Sequence, residues 1–242
     1  MSNNERTANR TDQAARIVEA WAACPGRAVI FDFNGTLSDD EGIIESIYID
    51  IFAKHLGWQL SPTEYRDKLI GLSDREIVER AVGNHAAGDA ELAEALLGLR
   101  RDMYKVIVAD RSPISAESTE LVKRLDDAGI PMAIVTGAQR DDVMAVLNHC
   151  EAGSLITQLV TEEDVRSGKP DPEGFLRGAG LINAAPADVL VFEDSVPGVM
   201  GAIRAGMRCI AVAGTTPSSK LLSIAPAVTD RIHPSLLDGI GI

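Results

Sequence analysis

Ala28-Val29-Ile30-Phe31-Asp32-Phe33-Asn34-Gly35-Thr36-Leu37 is the stretch whose reading decides the fold. Its first half is an uninterrupted apolar run, the pattern of a strand buried on both faces. A carboxylate, Asp32, stands inside that run. Asn34-Gly35-Thr36 then turns the chain. A strand that ends in an acid and a tight turn belongs to a sheet whose edge carries chemistry.

Working outward, further buried strands are expected at 131–135 (PMAIV), 189–193 (VLVFE) and 208–213 (RCIAVA), with a weaker one at 155–160. Helical periodicity separates them at 116–128, 139–149, 172–180 and 196–205. Strands alternating with helices predict an α/β protein with a parallel sheet covered on both faces, a Rossmann-like three-layer core. About 75 residues after the first strand interrupt this rhythm. Within them Ile43, Ile44, Ile47, Tyr48, Ile51, Phe52, His55 and Leu56 share one helical face, and 73–82 and 90–108 also read as helices. The expected organisation is a catalytic core of 27–38 and 113–242 with an all-helical cap of 39–112. Hinges are expected near Ser38 and Ser112-Pro113, and a cap inserted at the carboxyl edge can act as a lid. Residues 1–26 form an N-terminal extension, disordered over 1–12 and helical over 13–23 up to the Pro25-Gly26 break.

Composition narrows the partners. Of 242 residues, 23 are Lys or Arg and 36 Asp or Glu, a net charge of −13, which argues against nucleic acid or an anionic membrane surface. Aromatics are 4%, too few for a platform that stacks single-stranded bases. Cys24, Cys150 and Cys209 are scattered, neither a disulfide framework nor a paired metal motif. No apolar run reaches the roughly 20 residues of a membrane span. Met1 to Asp12 is polar, without the apolar stretch of a secretory signal. A cytoplasmic protein, monomer or homodimer, is the expectation.

The chemistry gathers at strand ends. Asp32 ends the first strand and Glu193-Asp194 ends another, so in a parallel sheet all three acids leave the same edge. They either cap turns or are joined by a hard cation, for which Mg²⁺ with oxygen ligands fits. Thr136 ends the 131–135 strand and is either a helix N-cap or a donor, through hydroxyl and backbone N–H, to an oxyanion. Lys169 lies in the rigid loop Ser167-Gly168-Lys169-Pro170-Asp171-Pro172, placed either in solvent or beside the acids. The P-loop pattern is absent, because Glu163 takes its first glycine position and Pro170 follows Lys169.

In order and spacing these signals resemble the haloacid dehalogenase superfamily, in its branch with a helical cap after the first motif. Asp32-Phe33-Asn34-Gly35-Thr36-Leu37 resembles the first motif, Thr136 the second, Lys169 in GKPDP the third and Glu193-Asp194 the fourth, within about residues 27–232. The resemblance implies a phosphatase of a small phosphorylated metabolite, such as a sugar phosphate, with Asp32 as the nucleophile that forms an aspartyl-phosphate. It implies Mg²⁺ held by Asp32, Asp194 and the backbone carbonyl of Asn34, with Glu193 binding directly or through water. Lys169 would offset charge, while Thr136 and N–H groups around Asn34, Gly35 and Gly137 would bind the phosphoryl group. The segment Gly71–Glu76 resembles the loop by which such caps reach the site, so Arg75 is either a substrate contact or a solvent-facing side chain.

Position 34 departs from the pattern. The superfamily's phosphatases and mutases usually carry an Asp there, which protonates the leaving group and then activates water; an amide cannot. Either the leaving group needs no proton, or another acid substitutes, or the asparagine was introduced to trap a ligand. The rival readings are therefore a phosphate-binding or regulatory protein with weak catalysis, a phosphomutase, and an acyl-phosphate or anhydride hydrolase. Haloacid dehalogenases usually have an aromatic residue at this place, and phosphonoacetaldehyde hydrolases have a cap lysine where this chain has Asp74. The mutases' cap histidine has no counterpart in Glu41–Glu45.

Overall fold

Six short parallel strands form one sheet in the order β3-β2-β1-β4-β5-β6. The structure, a computed structural model, describes residues 3–70 and 72–242, with side chains from residue 13. The strands are β1 (Ala28–Phe31), β2 (Met132–Val135), β3 (Gln158–Val160), β4 (Val189–Glu193), β5 (Arg208–Val212) and β6 (Ala227–Thr229). Every residue of β1, β2 and β4 is buried, the mark of strands covered on both faces. Side chains alternate between two cores. Val29, Phe31, Ile134, Leu190, Phe192 and Ile210 point into the larger one. Ala28, Ile30, Ala133, Val135, Val189 and Val191 point into the smaller one.

The larger core is closed by α1 (Asn3–Ala22), α6 (Ala116–Asp127), α7 (Arg140–Leu147) and α8 (Glu151–Leu155). The smaller is closed by α9 (Glu173–Leu181) and α10 (Val196–Arg204). This is the expected three-layer α/β core. The N-terminal helix starts at Asn3, so it replaces the disorder expected over 3–12, while residues 1–2 lie outside the described residues. It is anchored where Trp21 Nε1 donates to the carbonyl of Ala28 at 3.0 Å.

Between β1 and α6 lie four helices, α2 (Glu41–Leu56), α3 (Pro62–Lys68), α4 (Asp74–His85) and α5 (Ala90–Asp110). On α2 the buried face is Ile44, Ile47, Tyr48, Ile51 and Phe52. Ser73 and Glu76 make a reciprocal capping box that starts α4. The ends of this insertion meet, because Asp39 N–H donates to the carbonyl of Pro113 at 3.0 Å. No described helix is long and apolar enough to cross a membrane.

The chain runs β1 to β2 to β3 in one direction and then crosses back to β4 on the other side of β1. The direction of winding therefore reverses between β1 and β4. In open parallel sheets that reversal opens a crevice beyond the carboxyl ends of the strands, where ligands bind.

Candidate active site

Asp32 and the Glu193-Asp194 pair leave neighbouring strands at that crevice. Phe31 pairs with Phe192, and Asp32 N–H donates to the Phe192 carbonyl at 2.9 Å. One carboxylate oxygen from each of Asp32, Glu193 and Asp194 falls within 4.8 Å of the others, and all three residues are buried. Lys169 reaches in from the loop before α9, ion-paired to Asp32 Oδ1 and at 2.8 Å from Glu193 Oε1. Ser195 N–H donates to Glu193 Oε2 at 2.5 Å. A side chain at Gly198 on α10 would overlap the Glu193 carboxylate, so glycine is what lets the helix approach it.

Asp194 has a different setting. Its described partners are hydroxyls, Thr36 Oγ1 at 3.4 Å and Thr215. Gly35, with φ +76°, packs so close that a Cβ there would overlap both Asp194 Oδ2 and Thr215 Oγ1. Burial is the main cause that pushes the Asp32 carboxyl up to about 6; Lys169 opposes it and Glu193 adds to it. Asp194 is raised well above the ordinary carboxylate range by burial and by the charges of Asp32 and Glu193. Burial lowers Lys169, but Asp32 and Glu193 outweigh it and the ammonium is held charged. Three buried carboxylates against one lysine leave an excess of negative charge, and oxygen donors at this spacing fit a hard divalent cation.

Thr136 lies at the same edge, buried, with its hydroxyl accepting from Ala138 N–H at 3.0 Å. Its own N–H is used by the Val160 carbonyl at 3.0 Å, which corrects the expectation that it is free for an oxyanion. The N-cap of α7 is Gln139, so Thr136 does not fill that role either. Gly35 likewise spends its N–H on the Ser38 carbonyl at 2.8 Å and contributes room rather than a donor. Gly137 donates to no protein acceptor among the described residues. It lines, with Thr136 and Lys169, a cavity of about 270 Å³. A second cavity, about 560 Å³, runs from Gly35 and Thr36 to Glu41, Glu45 and Arg66 of the inserted helices.

Arg75 is exposed and ion-paired to Glu94 at 2.8 Å, and it lines with Gly137 and Glu162 a further cavity of about 210 Å³. Gly71 at the start of its loop lies outside the described residues. Thr36, Thr215, Asp40 and Tyr104 are neighbours that reading the sequence did not single out. Asn34 Nδ2 donates to Asp40 Oδ2 at 2.7 Å, and the Tyr104 hydroxyl on α5 donates to the same oxygen. Burial raises the Asp40 carboxyl, and the hydrogen bonds from Tyr104 and Asn34 oppose it. The pairing of Asn34 with Asp40 has no pattern in sequence spacing that would reveal it.

The fold is a parallel α/β core with a set of helices inserted after β1 and a buried acidic cluster at the carboxyl edge of the sheet. The chain belongs to the haloacid dehalogenase-like hydrolases, whose family model matches residues 29–212. It is 32% identical over 219 residues to (DL)-glycerol-3-phosphatase 2 of Arabidopsis thaliana, covering 87% of each chain. It is 26% identical over 196 residues to validoxylamine A 7'-phosphate phosphatase of Streptomyces hygroscopicus subsp. limoneus, covering 81% of this chain and 89% of that one. Its fold matches CbbY from Rhodobacter sphaeroides in complex with phosphate, with a TM-score of 0.75, 23% identity, and 89% of this chain and 99% of that one covered. Both of these relatives are, by name, phosphatases.

Proposed function

We propose that the protein is a Mg²⁺-dependent phosphatase of a small phosphorylated metabolite, sugar-phosphate-like, acting through an aspartyl-phosphate on Asp32. The observation that carries this reading is the meeting of Asp32, Glu193, Asp194 and Lys169 at the crevice between β1 and β4. The relatives are, by their names, phosphatases of (DL)-glycerol 3-phosphate and of validoxylamine A 7'-phosphate, which supports a small phosphorylated substrate.

Asp32 attacks phosphorus, and the bond to the leaving oxygen breaks. Water then opens the mixed anhydride, so one hard displacement becomes two easier ones. Asp32, Asp194, the Asn34 carbonyl and Glu193, directly or through water, would hold Mg²⁺. When bound, that ion supplies positive charge where nucleophile and phosphate would otherwise repel. Lys169 supplies the second positive charge and keeps Asp32 aimed. The Thr136 hydroxyl and the Gly137 N–H bind the phosphoryl oxygens. Helices α2–α5 form the lid, which excludes water and selects the substrate. Asn34 cannot exchange a proton, so alkyl phosphates are hydrolysed more slowly than a carboxyl at that position would permit, by about 10²–10⁴-fold.

The test is turnover of a panel of phosphate monoesters, with Mg²⁺ and with chelator. Release of phosphate only with Mg²⁺ supports the reading. Failure on every ester and acyl phosphate, by protein that binds Mg²⁺ normally, defeats it.

A further inference from the structure

Asn34, two residues after Asp32, is held from behind by a group that has no other evident task. Asp40 is wholly buried at the N-terminus of α2, yet its side chain caps no N–H of that helix. Oδ2 receives two neutral donors, Asn34 Nδ2 and the Tyr104 hydroxyl. Oδ1 has no partner at full hydrogen-bond geometry among the described residues; the equally unpaired Ser38 hydroxyl is near enough to steady the carboxylate. Leaving a buried carboxylate oxygen unpaired is costly, so the residue is poorly explained by stability alone. Its effect on Asn34 is clear from hydrogen-bond polarity. An ionised Asp40 only accepts, and the amide accordingly turns its nitrogen toward Asp40.

We propose that Asp40, braced by Tyr104, is a positioning residue that locks the Asn34 amide by its nitrogen and leaves its oxygen to the reacting group, so that, of the small phosphorylated metabolites proposed above, the site turns over fastest those whose leaving group departs without a proton. Acyl phosphates and phosphoanhydrides are that class. When Asp32 attacks phosphorus, the electron pair of the breaking P–O bond goes to the leaving oxygen. A carboxylate or phosphate keeps that charge, whereas an alkoxide needs a proton that an amide oxygen does not hold. In the second step the same oxygen accepts a hydrogen bond from the attacking water, whose proton passes to the released phosphate as the Asp32–phosphorus bond breaks. The proposal rests on Asp32 being the nucleophile. Because Tyr104 belongs to α5 and Asp40 opens α2, the lock also ties Asn34 to the inserted helices.

The polarity argument predicts a non-additive pair. In Asn34→Asp alone, two carboxyls face each other, and the pair must either repel or hold a shared proton at a cost. Combining it with Asp40→Asn restores one donor and reverses the lock. The experiment compares the full-length native protein, Asn34→Asp, Asp40→Asn and the double exchange, with Mg²⁺, on acetyl phosphate and on glycerol 3-phosphate. The native protein should prefer acetyl phosphate in kcat/KM. That preference should fall by about 10²-fold in the double exchange, the scale of general-acid help, and far less in Asn34→Asp alone. An equal fall in Asn34→Asp and the double exchange, or no native preference, overturns the proposal. Melting temperatures of the same four proteins read the pair without catalysis. Asn34→Asp should melt lower and the double exchange should regain most of the loss; additive losses overturn the pairing. Absence of turnover by all four, with the thermal coupling present, overturns the phosphatase reading and the substrate preference with it, not the pairing.

Discussion

Two clusters of buried charge lie in this molecule, and they are built differently. At the strand edge, Asp32, Glu193 and Asp194 crowd together around Lys169, and among the described residues Asp194 takes its hydrogen bonds from the hydroxyls of Thr36 and Thr215. At the seam between the inserted helices and the core, Arg100 of α5 is ion-paired to Asp142 of α7 and lies 3.2 Å from Asp74 of α4. Tyr48 adds a hydrogen bond to Asp74 at 2.5 Å. Each seam acid has the guanidinium beside it, whereas at the edge Lys169 pairs with Asp32 and Glu193 and leaves Asp194 with no ion-pair partner among the described residues. Two acids that share one guanidinium tie the inserted helices to the core, whereas an acid left beside other acids without a cationic partner is where the proposed cation would sit.

The largest effect on that contrast should come from removing Arg100. Arg100→Leu strands Asp142 in the interior and should cost about 3–5 kcal/mol, read by chemical denaturation. Asp32→Asn should do the opposite in metal-free protein and raise the melting temperature, since it relieves like charge. Were both variants to move stability in the same direction, the two clusters would not differ in kind.

A smaller effect concerns Mg²⁺ and pH. The Asp32 carboxyl is raised from 3.8 to about 6 by burial first, so its protonated form favours the metal-free fold. That contribution is fully present below 3.8 and is lost as pH rises through about 6. Bound cation offsets the loss, so the Mg²⁺-induced rise in melting temperature should be large near about pH 7.5 and fade toward about pH 5. A rise that is the same at both pH values would place the ion elsewhere.

The smallest effect should be at Arg75. Its exposed pair with Glu94 is worth about 0–1 kcal/mol, so Arg75→Ala should change kcat/KM by less than about threefold. A loss beyond about tenfold would mean that Arg75 leaves Glu94 to bind substrate.

Much of this was legible in the linear chain, for physical reasons. Apolar runs such as Val189–Phe192 have one way to be satisfied in an α/β protein, and their terminal acids had to share an edge. Short elements escaped. Helix α3 carries a readable start, Ser61 accepting from Glu64 N–H with Pro62 first in the helix, yet spans only 7 residues. Strand β6 has 3 residues, too few for a period. Hydrogen-bond commitments were also hidden, as with the N–H groups of Thr136 and Gly35, because they depend on which strand or turn lies opposite. The bond from Tyr104 to Asp40 spans 64 residues and joins two helices of the insertion, so no local pattern announces it.

Asp32 is the proposed nucleophile of the acidic edge. Rapid quenching with phosphorus-labelled acetyl phosphate and Mg²⁺, followed by peptide mapping, tests it directly. A label that hydroxylamine removes, carried on the peptide containing Asp32 and absent from Asp32→Asn, is the predicted result. Label on another peptide, or undiminished turnover by Asp32→Asn, would contradict it.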